Sequence, residues 1–138
     1  MSEITASTYI NFHGRAREAL EFYQKALGGK LQFLTFDPNG PPKPAGPNDS
    51  IMHSMLEVGG VTIMATDGMP QNAPTVGDNM SIALTGSDRQ KLTLAFDLLS
   101  EGGSVEMPLK GEAWGDTFGS FVDKFGINWM VDITKNEA

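Results

Sequence analysis

His53 is the side chain best suited to chemistry in this sequence. It is one of two histidines and lies in a β-rich run, 51–58, that leads into the turn pair Gly59-Gly60. Imidazole titrates near physiological pH, so His53 could act as a general base or anchor a ligand by a hydrogen bond. The alternative is a half-buried polar side chain whose hydrogen bonds are satisfied within the strand. His13 precedes a helix start, where a surface or capping residue is expected.

Acidic and aromatic residues gather in the loop before the last predicted hairpin. Glu112, Trp114 and Asp116 lie there, where the mouth of a binding site is expected. Trp114 could stack on a ligand, and Glu112 or Asp116 could accept a proton or orient a donor. The alternative is that Trp114 only closes the end of the fold while Asp116 caps a turn. The candidate catalytic residues are therefore His53, Glu112 and Asp116.

The composition excludes several classes of function. The chain of 138 residues has no Cys, which rules out disulfides, thiolate nucleophiles and cysteine-based zinc sites. A net charge of −7 disfavours a nucleic-acid partner, which would need clustered Lys and Arg. Residues 1–7 lack the basic and apolar parts of a signal peptide, and no run approaches the roughly 20 apolar residues of a membrane span. We expect a cytoplasmic protein with no membrane partner.

Two amphipathic helices divide the chain into repeats. Apolar residues recur at three- and four-residue spacing over 15–27 and again over 92–99, where Ser87 and Gln90 predict a capping box. A Gly-Gly pair follows each helix, and an extended segment and a hairpin follow each pair. The order strand, helix, Gly-Gly, strand, hairpin therefore occurs twice, which indicates a duplicated module.

Proline-rich segments mark the irregular connections. Residues 38–47 contain five prolines and are predicted to form an exposed loop without strand pairing. Residues 68–78 are predicted to link the modules. We expect a single domain, 1–138, with module one at about 1–67 and module two at about 79–138.

A set of short segments carries a resemblance to a known family. They are, in order, Tyr9-Ile10-Asn11-Phe12, Ala19-Leu20-Glu21-Phe22-Tyr23, Ile51-Met52-His53, Ile63-Met64-Ala65-Thr66-Asp67, Trp114-Gly115-Asp116, Phe118-Gly119 and Asp123-Lys124-Phe125-Gly126-Ile127-Asn128-Trp129. Their order and spacing resemble the vicinal-oxygen-chelate (glyoxalase/bleomycin-resistance/dioxygenase) superfamily, and the local sequence resembles its PhnB-like branch. The resemblance implies an α+β fold in which two βαβββ modules form a curled eight-stranded mixed sheet around a cavity, with one helix outside each module. It also implies a homodimer, which would cover open sheet edges.

The metal ligands of that superfamily are replaced in this chain. Metal-dependent members place His, Gln or Glu on the first and last strands of each module, and the resemblance carries these positions to Thr8, Met64, Ser81 and Met130. Thr, Ser and Met side chains do not hold a hard divalent ion, which prefers carboxylate or imidazole ligands. We therefore expect no metal site of the usual kind, and metal-dependent glyoxalase or dioxygenase chemistry does not carry over.

Strand alternation predicts which other side chains line the cavity. If Met64 points inward, a two-residue turn at Gly59-Gly60 sets Met55 opposite Met64 and places His53 on the same face. The same logic in module two gives an inward group of Gly119, Phe121 and Asn128. The expected ligand-binding residues are Thr8, Met55, Met64, Ser81, Trp114, Phe121, Asn128 and Met130.

Three functions follow as alternatives. The first, which we favour, is a protein that binds an apolar or aromatic small molecule in its Met- and Phe-rich cavity without a divalent metal. The second is a lyase, isomerase or other glyoxalase-superfamily enzyme that uses His53 with Glu112 or Asp116 for proton transfer. The third is a structural or assembly role with a filled cavity. The methyltransferase label of some branch members is not adopted, because no glycine-rich strand-to-helix turn is present, and no cofactor is expected.

Overall fold

In the computed structural model, which describes residues 4–135, the chain forms two compact units that divide between Thr75 and Val76. The first unit contains β1 (Thr8–Asn11), α1 (Ala16–Leu27), β2 (Lys30–Thr35), β3 (Lys43–Pro44), β4 (His53–Val58) and β5 (Val61–Thr66). The second contains β6 (Ile82–Gly86), α2 (Arg89–Leu99), β7 (Ser104–Gly111), β8 (Thr117–Val122) and β9 (Asn128–Ile133). The division lies inside the segment 68–78 that is predicted as a linker. The signal-peptide prediction rests partly on residues 1–3, which lie outside the described residues.

The two units share one strand order. The sheets run β1-β5-β4-β2-β3 and β6-β9-β8-β7. In each sheet the first strand pairs in parallel with the last strand of its module, and the other neighbours are antiparallel. This confirms the α+β fold of two βαβββ modules. Across residues 4–135 the expected single sheet of eight strands is instead two sheets with nine strands, because the proline-rich loop contributes β3.

The proline-rich loop 38–47 forms one edge of the first sheet, so the prediction that it makes no strand pairing is wrong. Its strand β3 pairs with the end of β2. Pro44 is tolerated there because an edge strand needs donors on one side only. The guanidinium of Arg17 donates a hydrogen bond to the carbonyl oxygen of Gly46 at 2.8 Å, which ties the loop to α1.

Helix α1 is held by one apolar stripe. Ala16, Ala19, Leu20 and Tyr23 are fully buried and follow the i, i+3, i+4, i+7 spacing of a single helix face. This face packs on β2, β4 and β5. The helix ends at Gly28, whose φ of 79° is a left-handed conformation that favours glycine.

Helix α2 is present as predicted but begins after a different cap. Asp88, not Ser87, caps the helix, and its carboxylate accepts a hydrogen bond from the N–H of Lys91 at 3.1 Å. The helix buries Phe96 and Leu99 against its sheet. With 12 and 11 residues, the two helices of the described chain are too short and too polar to cross a membrane.

Candidate functional site

One face of the first sheet is turned away from α1. On β5, Ile63 and Ala65 are buried on the helix side, so Met64 between them points to the other side. Strand pairing sets Met55 of β4 and Tyr9 of β1 beside Met64, and the predicted opposition of Met55 and Met64 is confirmed. We call this side the open face of module one; its members are Tyr9, Asn11, Lys30, Gln32, Leu34, His53, Met55, Glu57, Thr62, Met64 and Thr66.

Thr8 does not lie on the open face, so its predicted place in the cavity wall is wrong. It pairs with Ile63, which puts its side chain on the helix side of β1, and Tyr9 occupies the position that the resemblance assigned to Thr8. Alternation along a strand has a period of two, so an error of one residue changes the face. The irregular segment 12–15 between β1 and α1 made a count from the helix inaccurate.

Tyr9 and His53 form a stacked pair on the open face. Their ring centroids are 6.0 Å apart and their planes are inclined by 19°. Tyr9 is 54% exposed and His53 is half-buried. Within the described part of the chain, neither ring nitrogen of His53 has a hydrogen-bond partner. The pair can therefore stack on a planar molecule and bind one of its polar atoms. Sequence reasoning missed Tyr9, which the pairing of β1 with β5 reveals.

In module two, the face turned away from α2 carries Asn128, Met130 and Asp132 of β9. Trp129, which alternates with Asn128 and Met130 along β9, is 1% exposed, so its two neighbours on β9 point to the other side. The side-chain amide of Asn128 donates a hydrogen bond to the carbonyl oxygen of Gly77 at 3.2 Å. This face is therefore partly polar.

Phe121 and Gly119 face α2, so their predicted inward orientation is wrong. The Phe121 ring meets the ring of Phe96 on α2 edge-on, with centroids 4.9 Å apart and planes at 80°. A side chain at Gly119 would collide with the same Phe96 ring. The error comes from the connection between β8 and β9, which spans five residues, 123–127, whereas the sequence pattern predicts a turn of four residues over 123–126. The extra residue moves every β8 side chain to the other face.

The hairpin loop before β8 brings Asp116, one of the predicted acidic residues, next to an acidic residue that sequence reasoning missed. The N–H of Glu112 donates to the carbonyl oxygen of Asp116 at 2.7 Å, and Trp114 at the tip is 64% exposed. Burial and the facing carboxyl of Asp116 raise the pKa of Asp132 on β9. Its buried Oδ1 has no hydrogen-bond partner in the described chain, and a proton shared with Asp116 would satisfy it. Alternation along β9 could have revealed this residue.

The residues at the superfamily's metal positions do not fit a divalent ion. By the observed register these positions are Tyr9, Met64, Ala83 and Met130. Ser81 is exposed and precedes β6. Two thioethers, a phenol and a methyl group do not supply the carboxylate or imidazole ligands that such an ion prefers. In the described chain, no three His, Asp or Glu side chains gather as a possible metal-binding group.

Two βαβββ modules of one strand order, each with a helix on one side of its sheet, define a protein of the glyoxalase-like, vicinal-oxygen-chelate fold. Residues 4–132 match the family described as 3-demethylubiquinone-9 3-methyltransferase. The chain belongs to this family, in the PhnB-like branch of the superfamily, as its sequence resemblance implies.

Relatives of this chain come from several bacteria. The Escherichia coli protein YjdN is 28% identical over 95% of this chain and 96% of its own length. Mb0911c of Mycobacterium bovis is 32% identical over 84% of this chain and 74% of its own length. The crystal structure of PA1353 from Pseudomonas aeruginosa is 37% identical, with a TM-score of 0.82 over 97% of this chain and 100% of that one. The PhnB protein of Bacillus cereus is 25% identical, with a TM-score of 0.74 over 95% and 100%.

The family description names a methyl transfer, and the anionic group of a nucleotide-type methyl donor would bind at the amides of a strand-to-helix turn. At the start of α1, the N–H of Ala16 donates to the carboxylate of Asp67 at 2.9 Å. At the start of α2, the N–H of Lys91 donates to the carboxylate of Asp88 at 3.1 Å. The protein's own carboxylates thus occupy amides that would otherwise bind a ligand's anionic group. Neither turn fits such a cofactor.

Proposed function

We propose that this protein binds a planar, mainly apolar small molecule on the open face of module one, without a divalent metal. The observation that carries the proposal is the stacked pair of Tyr9 and His53, with ring centroids 6.0 Å apart. Tyr9 is 54% exposed. A ligand ring placed on this pair would remove aromatic surface from water, which favours association.

The neighbours of the ring pair suit such a ligand. Met55 and Met64 are half-buried beside it, and flexible thioether side chains adapt to the outline of a bound molecule. The nitrogens of His53 supply one polar anchor for a hydroxyl or carbonyl oxygen. Apolar walls with few polar groups are typical of small-molecule sites.

The names of the family and of one relative support a ring as the ligand. The family description and the name of the Bacillus cereus PhnB protein both refer to a demethylated ubiquinone, whose head is a substituted six-membered ring. We take this as support for a quinone-like or phenol-like ring. It does not extend to methyl transfer, because the carboxylates of Asp67 and Asp88 occupy the strand-to-helix turns.

Titration of protein labelled with carbon-13 at the methionine methyl groups tests the proposal. Naphthol or a methoxylated benzoquinone should shift the signals of Met55 and Met64, whereas cyclohexanol, which cannot stack, should shift them little. Tyr9→Ala should weaken ring binding by at least about tenfold. Tyr9→Phe keeps the ring and should bind as the wild type does. Binding of either ring would argue against a purely structural role, and equal affinity of Tyr9→Ala and wild type would contradict the proposal.

A lyase or isomerase is the second candidate function, and the Asp116–Asp132 pair favours it. A carboxyl group with a raised pKa can hold a proton where an ordinary Asp has lost it, as a general acid requires. Asp116 would then exchange this proton with Asp132 in module two, and His53 in module one is a separate candidate for proton transfer. Exchange of the carbon-bound protons of hydroxyacetone in heavy water, followed by NMR, tests this. His53→Ala or Asp116→Asn, whichever removes the group that transfers the proton, should slow exchange by about 100-fold, and unchanged rates in both variants would exclude the candidate.

We also propose a homodimer. The edge strands β1 and β6 contain neither Pro nor Lys, residues that commonly protect a sheet edge from pairing. By contrast, the edge strands β3 and β7 each contain both residue types. Sedimentation equilibrium should give twice the mass of one chain, and a single-chain mass at micromolar concentration would contradict the dimer. A cytoplasmic location stays a prediction that cell fractionation can test.

A further inference from the structure

Two thioethers and an imidazole lie together on the open face of module one. Met55 and Met64 are direct cross-strand partners, a relation that places Cβ atoms about 5 Å apart. His53 precedes Met55 by two residues on β4, so it lies on the same face at a distance of about 7 Å along the strand. These distances are within the reach of long side chains.

The position of Tyr9 shows which way the His53 ring leans. Tyr9 pairs with Met64 from β1, and β5 separates β1 from β4. The Tyr9 ring nevertheless stacks on His53. The two rings therefore meet above β5, the strand that carries Met64, and the His53 nitrogens have no hydrogen-bond partner among residues 4–135.

Two thioethers and an imidazole are the ligand types that a soft, monovalent metal ion prefers. Thioether sulfur selects Cu(I) over hard divalent ions, and imidazole also binds copper. The chain contains no Cys, so no thiolate competes for such an ion. The other histidine, His13, is exposed and outside the open face.

We propose that His53, Met55 and Met64 form a binding site for Cu(I) or the chemically similar Ag(I). The ion would lie between β4 and β5, and the Tyr9 ring would cover the His53 side of the site, where an aromatic face also attracts a cation. This site uses the side chains that the proposed ring binding also uses, but it requires no organic ligand, so the metal can be tested in the absence of any ring.

Module two supplies an internal comparison. Met130 pairs with Ala83 of β6 as Met64 pairs with Tyr9 of β1, so Met130 is the counterpart of Met64. Its antiparallel partner on β8 is Ser120, where module one has a second thioether. Met130 therefore lacks the ligand set and is a matched control.

Titration with Ag(I), in chloride-free buffer at neutral pH, tests the site on protein labelled at its methionine methyl groups. The wild type should bind one ion per chain with shifts concentrated at Met55 and Met64. Anaerobic competition with a chromophoric Cu(I) chelator then measures the Cu(I) affinity. Met55→Leu and Met64→Leu keep the side-chain volume, and each should lower the affinity by at least about tenfold. Met130→Leu should leave it unchanged.

Two results would overturn the site. In the first, Ag(I) shifts the methyl signals of all methionines equally. In the second, Met55→Leu and Met64→Leu both bind Cu(I) with the wild-type affinity. If a Leu variant fails to fold, the wild-type methyl shifts and the response of the His53 ring signals to Ag(I) decide the question. Aromatic probes and metal ions are titrated in separate experiments. If the aromatic probes do not bind, the Ag(I) and Cu(I) titrations still decide whether the metal site exists.

Discussion

The carboxylate of Asp67 caps the helix that begins at Ala16. Its Oδ1 accepts a hydrogen bond from the N–H of Ala16 at 2.9 Å, and its Oδ2 accepts one from the N–H of Ile51 at 2.7 Å. Asp67 follows β5 and Ile51 precedes β4, so one side chain joins both central strands to the first turn of α1. Because these strands carry His53 and Met64, the cap also supports the open face.

Replacement of Asp67 by Ala should lower the free energy of unfolding by about 2–3 kcal/mol. Two backbone N–H groups lose their acceptor, and one belongs to Ile51, which is 1% exposed. Asp78→Ala is the control, because Asp78 is exposed and its loss should change stability by less than about 0.5 kcal/mol. Urea unfolding followed by circular dichroism measures both. Equal stabilities of the two variants would show that Asp67 has no specific role.

Asp123 organises the last turn of module two and is 3% exposed. Its Oδ1 accepts hydrogen bonds from the N–H groups of Phe125 and Ile127 at 2.8 and 3.0 Å. Its Oδ2 accepts one from the indole N–H of Trp129 at 2.9 Å. Asp123→Asn keeps one acceptor oxygen but loses the other, so it should cost about 1–3 kcal/mol, and Asp123→Ala should cost more. The indole N–H signal of Trp129 should move in the Asn variant; an unchanged signal would argue against this bond.

The duplicated module was predictable because its signals are local. Helix stripes and Gly-Gly pairs can be recognised without knowledge of distant contacts. The structure adds why the second glycine of each pair is needed. A side chain at Gly29 would collide with the backbone of Glu57, and one at Gly103 would collide with the backbone of Val122. The same close approach thus occurs in both modules.

Strand register was predictable only where a tight turn determines it. The two-residue turn after β4 sets Met55 opposite Met64 correctly. The sequence pattern places Phe121 on the wrong face because the turn after β8 has one more residue than predicted. It also misplaces Thr8, because β1 pairs with a strand far along the chain and no turn connects the two strands. The ring pair and the paired carboxyl groups depend on such long-range register, so no local pattern encodes them.

Gly103→Ala should destabilise the protein by more than about 2 kcal/mol. The added methyl group would overlap the carbonyl oxygen of Val122, and backbone atoms cannot move aside as a flexible side chain can. Gly60→Ala is the matched control, because a methyl group at Gly60 meets open space and should change stability by less than about 0.5 kcal/mol. Thermal unfolding compares the two. A Gly103→Ala variant as stable as Gly60→Ala would mean that the hairpin can shift away from the helix end.

Asp132 should make stability fall as the pH rises. Burial and the facing carboxyl of Asp116 raise its pKa in the folded protein, whereas the unfolded chain has the ordinary value of about 3.9. The folded state therefore holds the proton more tightly. Its contribution to stability is complete below a pH of about 4 and is lost as the pH rises through the folded pKa.

Asp132→Asn removes this ionisation, and its amide can donate a hydrogen bond to Asp116. The Tm of the variant should be close to that of the wild type at a pH of about 4 and should exceed it increasingly as the pH rises through the folded pKa of Asp132. Asp97→Asn, an exposed substitution on α2, should follow the wild type throughout. A difference between Asp132→Asn and wild type that shrinks as the pH rises would contradict the direction of the shift. A difference of the same size at every pH would show that Asp132 acts only through packing.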